Sequence, residues 1–268
     1  MIISDMDGTL LNEHHLIGDY TRDVLQRVHG AGRQLVLATG RHEVEVQAIR
    51  EHAGFPAYMV TSNGARIADD NNKVIYRQNL PVDVVAGLVG KMVDCEQTSV
   101  HIYTDEGWFY NRIDGPLASF DGASPLSRFR FTKEDFPVQG VAKVFMCSEN
   151  VEALHARAEE IASEFAGQVN VTTSFPWCVE IMAADVSKGR AIAYLSELLN
   201  RPLTQAIAFG DGMNDADMLS VAGKGLVMGN ADDRLKTALP NHQIIGLNTD
   251  EAVARYLEQH ILQQDAAV

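Results

Sequence analysis

Basic residues are scarce in this chain. Only 22 Lys and Arg stand against 36 Asp and Glu, for a net charge of −14 at pH 7. A nucleic-acid surface needs patches of Lys and Arg to neutralise phosphates, so that class is set aside. A small phosphorylated ligand, by contrast, needs a single local cation. Cysteine is scarcer still: Cys95, Cys147 and Cys178 are odd in number, widely spaced and free of any CxxC pair. They read as reduced core thiols of a cytoplasmic protein, not as a disulfide framework. No apolar run approaches the ~18 residues of a membrane span, and the N-terminus reaches Asp5 too soon for a signal peptide. Internal repeats and low-complexity tracts are also missing. The expectation is a soluble, cytoplasmic protein of 268 residues, long enough for one large domain or two modest ones around a sizeable core.

What is present begins at once. Met1-Ile2-Ile3-Ser4-Asp5-Met6-Asp7-Gly8-Thr9 is a short apolar run ending on two carboxylates at i and i+2, then a Gly and a hydroxyl. Within a strand that spacing would point both acids to one side. At a strand's C-terminal end, before a Gly-initiated turn, both can converge on a point beyond the sheet edge, where open α/β sheets bind ligands. Two such acids repel by roughly 4 kcal/mol at ~4 Å and an effective dielectric of ~20, so something cationic belongs between them. In isolation an Asp-Gly turn between strands would explain the motif equally well. An EF-hand would not: counted from Asp5, position 6 is Leu10 instead of Gly and position 12 is Leu16 instead of Glu.

Taken in order, Thr21 to Gly30 reads as an amphipathic helix on Val24, Leu25 and Val28, and Gln34 to Ala38 as an apolar strand closing on Thr39-Gly40-Arg41. Strand, helix, strand at this spacing is a βαβ unit with parallel strands, which puts Thr39 at the same sheet edge as Asp5. Thr39-Gly40 could also be a plain strand-ending turn with Arg41 in solvent. A helix over 43–52, a strand ending in Thr61-Ser62-Asn63-Gly64, and a small hairpin around 69–73 follow. From about Leu80 to Asp185 the pattern changes to mixed helices and strands, with a loop-rich stretch over 115–137, and suggests an inserted α+β domain. The first pattern then returns. Ser187 is placed to cap a helix reaching Asn200, and the strand 205–209 ends on Gly210-Asp211-Gly212-Met213-Asn214-Asp215-Ala216-Asp217. Asp215 and Asp217 could simply favour a helix N-terminus. A strand at 225–228, another at 243–245 and a closing helix over 251–262 complete the chain. The first strand, three or four residues before Asp5, is shorter than buried central strands usually are.

Four strand ends or helix starts therefore carry Asp5 with Asp7, Thr39, Lys188, and Asp211 with Asn214 and Asp215. Lys188 on its own would be a solvated first-turn lysine, although a cation near a helix N-terminus is mildly unfavourable without an anion beside it. The order DxDGT, strand-Thr-Gly-Arg, a lone Lys, then GDGxND resembles the haloacid dehalogenase superfamily over essentially the whole chain. The GDGMND wording and the position of the insertion are similar to its Cof-type phosphatases. That resemblance implies an α/β fold with a Rossmann-like parallel core and helices on both faces, from residues 1–79 and 186–268. It implies that 80–185 form a C2-type α+β cap.

The resemblance also implies roles. Asp5 would be the nucleophile that forms an aspartyl-phosphate, and Asp7 the acid that protonates the leaving alkoxide and later activates water. Mg²⁺ would be held by Asp5, the main-chain carbonyl of Asp7, Asp211 and, in support, Asp215. Thr39, the backbone at Met6 and Gly40, Lys188 and Asn214 would hold phosphate oxygens. An acid at position 7 separates such enzymes from dehalogenases, which need none there, and from transport ATPases, which carry Lys and Thr in place of Met6 and Asp7. The partner is then a small phosphorylated metabolite. Wording such as Thr61-Ser62-Asn63-Gly64-Ala65-Arg66 and Trp108-Phe109-Tyr110-Asn111-Arg112 is similar to bacterial members acting on pyridoxal 5′-phosphate. Tyr103, Trp108, Phe109, Tyr110 and Trp177, with His101 and Arg112, could face a planar ring or be cap core. Alternatives are a generalist sugar-phosphate phosphatase, a phosphomutase, and a non-catalytic phosphometabolite-binding or regulatory module. Oligomeric state is not written in these motifs. His14, His15 and His42 lie near the site in sequence without metal-ligand spacing.

Overall fold

Apolar runs bounded by Gly and polar turns fold here into alternating strands and helices. The computed structural model describes residues 1–95, 97–113 and 124–263. In chain order its elements are β1 (Ile2–Ser4), α1 (Asp19–Gly30), β2 (Leu35–Ala38), α2 (Glu43–Ala53), β3 (Tyr58–Thr61), β4 (Arg66–Ala68) and β5 (Val74–Arg77). Next come α3 (Val82–Met92), β6 (Ser99–Thr104), β7 (Gly107–Tyr110), β8 (Arg128–Arg130), β9 (Val141–Cys147), α4 (Val151–Glu164), β10 (Val169–Phe175) and β11 (Cys178–Ala183). The last are α5 (Lys188–Leu198), β12 (Ile207–Gly210), α6 (Ala216–Val221), β13 (Lys224–Val227), α7 (Asp233–Ala238), β14 (Gln243–Ile244) and α8 (Ala252–Leu257). The chain divides into two compact units, one of Met1–Ile75 with the chain from Lys188 onward, the other of Tyr76–Ser187.

In the first unit β1 lies inside an eight-stranded sheet of order β14-β13-β12-β1-β2-β3-β4-β5. Its three residues pair parallel on both sides, Ile2 to Ser4 against Ile207 to Phe209 and against Leu35 to Leu37. That double ladder compensates for its short length. The strands from β14 to β3 are parallel, and β4 turns back antiparallel on β3. Parallel neighbours require crossovers; α1, α2, α6 and α7 provide them along the sheet. β1 and β2 are buried throughout, as strands covered on both faces are. Thr21, Val24, Leu25 and Val28 form the buried stripe of α1, and α1 packs on α8. His42 caps α2 by accepting the Val44 N–H at 3.2 Å while the Glu45 side chain accepts from His42 N–H at 3.3 Å. Gly54, left-handed at φ 69°, ends the same helix. The α/β class expected from the sequence is the class the chain adopts.

The second unit is a six-stranded sheet of order β10-β11-β9-β6-β7-β8, antiparallel apart from the parallel pair β7–β8. Alternation sorts its side chains. Val100, Ile102, Val144, Met146, Val179 and Ile181 make one apolar set, all buried. α3 brings Val84, Val85, Leu88, Val89 and Met92 to β9, and α4 brings Leu154 and Ile161 to β10 and β11. The register sets His101, Tyr103, Lys143, Phe145 and Glu180 on the opposite side of the pleat.

The loop-rich stretch over 115–137 holds one short strand, β8 at Arg128–Arg130; its part over 115–123 falls outside the described residues. One expectation needs correction. The closing helix is regular only along α8 and winds wider from Glu258 to Leu262. No helix among the described residues is long and apolar enough to cross a membrane. The three cysteines are unbonded.

Candidate active site

Parallel pairing brings three strand ends to one edge of the first sheet. Asp5 follows β1, Thr39 follows β2 and Asp211 follows β12. The Asp5 N–H still belongs to the ladder, donating to Phe209 O at 3.0 Å, so the carboxylate stands on a fixed backbone. Beyond it Met6–Leu10 form a tight turn closed by Leu11 N–H to Met6 O at 2.9 Å. Gly8 turns left-handed there at φ 76°, and a Cβ on it would collide with the Asp211 carboxylate. The side chain of Asn230 donates to the carbonyl of Gly8 at 2.7 Å and ties the turn down from outside.

Lys188 opens α5 and is wholly buried. Its ammonium donates to Asp5 Oδ1 and to Asp215 Oδ1, each at 2.6 Å. Asp215 is gripped in turn, since its Oδ2 accepts from the N–H groups of Asp211 at 2.9 Å and Gly212 at 3.0 Å. Thr9 donates its hydroxyl to Asp211 Oδ1 at 2.6 Å. One carboxylate oxygen from each of Asp5, Asp211 and Asp215 lies within 4.8 Å of the other two. This is an all-oxygen donor set of the kind that suits a hard divalent cation.

Electrostatics follows from that crowding. Burial, then the nearby Asp215, raises the Asp5 carboxyl well above the usual range, with Lys188 pulling the other way. Burial and Asp215 also push Asp211 up to about 7, against the Thr9 hydrogen bond. Burial works against the charge on Lys188, yet Asp215 and Asp5 outweigh it and hold the ammonium above its ordinary value. Asp7 behaves oppositely. Burial would raise it, but the Arg41 fork and His15 hold it well below the usual carboxylate range. Arg41 Nε and Nη2 donate to its two oxygens at 2.6 and 2.5 Å, and His15 Nδ1 lies 3.1 Å from Oδ1. The Asp7 side chain is thus engaged by Arg41 and His15.

The other motif residues take less obvious places. Thr39 is buried; its N–H donates to Val60 O at 2.8 Å and its hydroxyl accepts from Arg41 N–H at 3.1 Å. Gly40 lies between those two in sequence, and Met6 is fully buried. Asn214 donates its side-chain amide to Asn63 Oδ1 at 3.1 Å.

Asn63 is a residue that sequence reasoning passed over as half of an Asn-Gly turn. It is buried, left-handed at φ 55°, and donates its N–H to Thr39 O at 3.0 Å, so it joins the Thr39 and Asn214 loops. Thr9 was also given no part, although the position after Asp-Gly was the available signal. His42 is occupied as a helix cap and His15 on Asp7.

With this geometry in place, comparison with known proteins is specific. The family described as haloacid dehalogenase-like hydrolase matches residues 2–257. A protein of Haemophilus influenzae is 39% identical over 260 residues, which span 96% of this chain and 94% of that protein. An HMP-PP phosphatase of Yersinia pseudotuberculosis is 36% identical over 254 residues, 94% of this chain and 92% of that protein. Among solved structures, a haloacid dehalogenase-like hydrolase from B. subtilis has a TM-score of 0.85 at 23% identity, covering 97% of this chain and 99% of that one; it bears on the fold. The match along the chain and the identity to these relatives lead to one conclusion: the protein belongs to the haloacid dehalogenase-like hydrolases.

Proposed function

We propose that this hydrolase is a cytoplasmic, Mg²⁺-dependent phosphatase that splits small phosphomonoesters through an aspartyl-phosphate on Asp5. The observation that carries the reading is the cluster of Asp5, Asp211 and Asp215, which bring one carboxylate oxygen each within 4.8 Å of the others, with the ammonium of Lys188 on Asp5 and Asp215. Burial and mutual repulsion raise two of the three, so the donor set has room for more positive charge than Lys188 supplies. Mg²⁺ would be held by Asp5, Asp211 and the Asp7 carbonyl, with Asp215 in support, and would supply charge neutralisation and orientation of the phosphate.

The chain's own residues do the rest. An Asp5 oxygen attacks phosphorus as the bond to the leaving alkoxide breaks, which divides one hard hydrolysis into two easier steps. Asp7 gives its proton to the alkoxide and recovers one from the water that opens the intermediate. Held by Arg41, Asp7 is in the carboxylate form that accepts the water's proton. Donating one requires it to leave that fork. Thr39, Lys188, Asn214 and the backbone N–H groups of Met6 and Gly40 hold the phosphoryl oxygens. Residues 80–185 act as the cap that excludes bulk water and selects the substrate.

For the substrate, pyridoxal 5′-phosphate is the leading candidate on the wording of the cap and of Thr61–Arg66. The 36% identical relative named for HMP-PP adds a second. The test is phosphate release with Mg²⁺ from pyridoxal 5′-phosphate, HMP-PP and hexose phosphates side by side. A lead of tenfold or more in kcat/KM for pyridoxal 5′-phosphate supports the assignment. Sugar phosphates that match or beat it make the enzyme a generalist. Release from none of them, with tight binding of one, would replace the enzyme by a binding module.

A further inference from the structure

Lys188 is gripped at both ends, and only one grip lies in the acidic cluster. The ammonium end rests on Asp215 and Asp5. At the backbone end, the N–H of the next residue, Gly189, donates to Asp217 Oδ2 at 3.0 Å. Asp217 lies two residues beyond Asp215 in the same short segment, and its other oxygen accepts from Met218 N–H at 2.8 Å. One carboxylate thus serves the first turns of both α5 and α6.

The first turn of α5 lacks an acid of its own and begins with a buried lysine, a poor arrangement against the positive end of a helix dipole. Asp217 supplies both the missing negative charge and an acceptor for an orphan N–H. Gly189 lets it come close. A Cβ at Gly189 would lie 2.6 Å from Asp217 Oδ2 and 2.9 Å from its backbone carbon, so a hydrogen fits where a methyl group does not.

We infer that Asp217 is the positioning residue of Lys188: by holding the Gly189 N–H it fixes where α5 begins and so aims the ammonium at Asp5. This rests on the role given to Lys188 in the proposed function. Asp217 acts through Lys188 and touches no reacting atom.

The experiment measures kcat and KM for a phosphomonoester that wild type turns over, together with Tm, in five variants. Lys188→Ala tests the underlying reading and should lose activity by a hundredfold or more. Asp217→Ala should lower kcat at least threefold with KM changed less, and Asp217→Asn, which keeps an amide oxygen for the Gly189 N–H, should recover most of that loss. Gly189→Ala reads the same contact from the other side. It should lower kcat at least threefold although alanine ordinarily favours a helix. Asn150→Ala is the control for a lost cap alone. Asn150 Oδ1 accepts from Ala153 N–H at the start of α4, and its removal should lower Tm with kcat within twofold.

A kcat within threefold of wild type for either Asp217→Ala or Gly189→Ala, while Lys188→Ala is inactive, overturns the inference and leaves the proposed function standing. An active Lys188→Ala overturns both. Should Asp217→Ala fail to fold, Gly189→Ala decides by the same threshold.

Discussion

Thr9 and Asp211 show how one side chain of this site steadies another. The hydroxyl of Thr9 steadies one Asp211 oxygen at 2.6 Å in a place where burial favours the neutral acid. On the proposed Mg²⁺ site, Thr9→Val should therefore weaken metal binding about 10–100-fold, the usual cost of losing a group that orients a metal ligand. Turnover at saturating Mg²⁺ should stay within severalfold. Titrating phosphate release with Mg²⁺ checks this, and an unchanged Mg²⁺ requirement would count against it. Asp5→Asn is sharper: with the proposed nucleophile gone, phosphate release should fall on the order of a thousandfold or more. Wild-type turnover in that variant would remove Asp5 from its role. Asp5, Asp7 and Asp211 could be read from the sequence because carboxylates close to Gly at strand ends are chemically conspicuous. Asn63 could not. An Asn-Gly pair has the same letters whether it caps an exposed hairpin or sits buried between two loops, and only the surrounding chain decides which.

At the scale of elements, the second sheet carries a buried charged pair beside aromatic rings. Lys143 on β9 and Glu180 on β11 form a buried salt bridge, and Lys143 also lies over the rings of Tyr103 and Phe145 at 4.7 and 4.6 Å. Removing one partner leaves the other charged in a place without water. Lys143→Met should cost about 3–5 kcal/mol in urea unfolding, and Lys143→Met with Glu180→Leu should regain most of it. A double variant as unstable as the single one would show that the pair itself, not the orphaned charge, carries the stability. Legibility differed from strand to strand here. β9 reads directly as Val-Ala-Lys-Val-Phe-Met-Cys, an apolar run long enough to declare itself. β8 is Arg-Phe-Arg, three residues in a proline-bearing stretch, and it is a strand because β7 offers it a parallel edge. Propensity contains no record of an available neighbour.

At the scale of the whole molecule the two units answer pH in opposite senses: the raised Asp5 and Asp211 favour the folded first unit as pH falls, and a buried histidine disfavours the folded second unit. His101 is fully buried, stacked on Phe145 at 4.7 Å, with Ser99 at its Nε2 and the Trp108 indole N–H at its Nδ1. Burial, then the charges of Lys143 and Arg112, lowers its pKa from 6.5 to about 3. Above the unfolded value it is neutral in both states and pH has no leverage. Below it, the unfolded chain takes up a proton that the folded chain refuses. Stability should then fall by about 1.4 kcal/mol per pH unit until the folded pKa is reached. Urea unfolding of the second unit at pH 7 and pH 5 should differ by about 2 kcal/mol, and His101→Gln should remove most of that difference. An equal pH effect in the variant would assign it elsewhere.

The pairing of β1 with β12 has a consequence in time. During synthesis β1 emerges ahead of β2, which can join it soon afterwards. Its other side is filled only when residues 207–209 arrive. Until then an apolar strand keeps a row of unpaired N–H and C=O groups open to any passing strand, the exposure that makes nascent chains candidates for chaperones. Asp211 and Asp215 follow β12 in the chain, so the carboxylate cluster with Asp5 is incomplete for as long as that edge stays open.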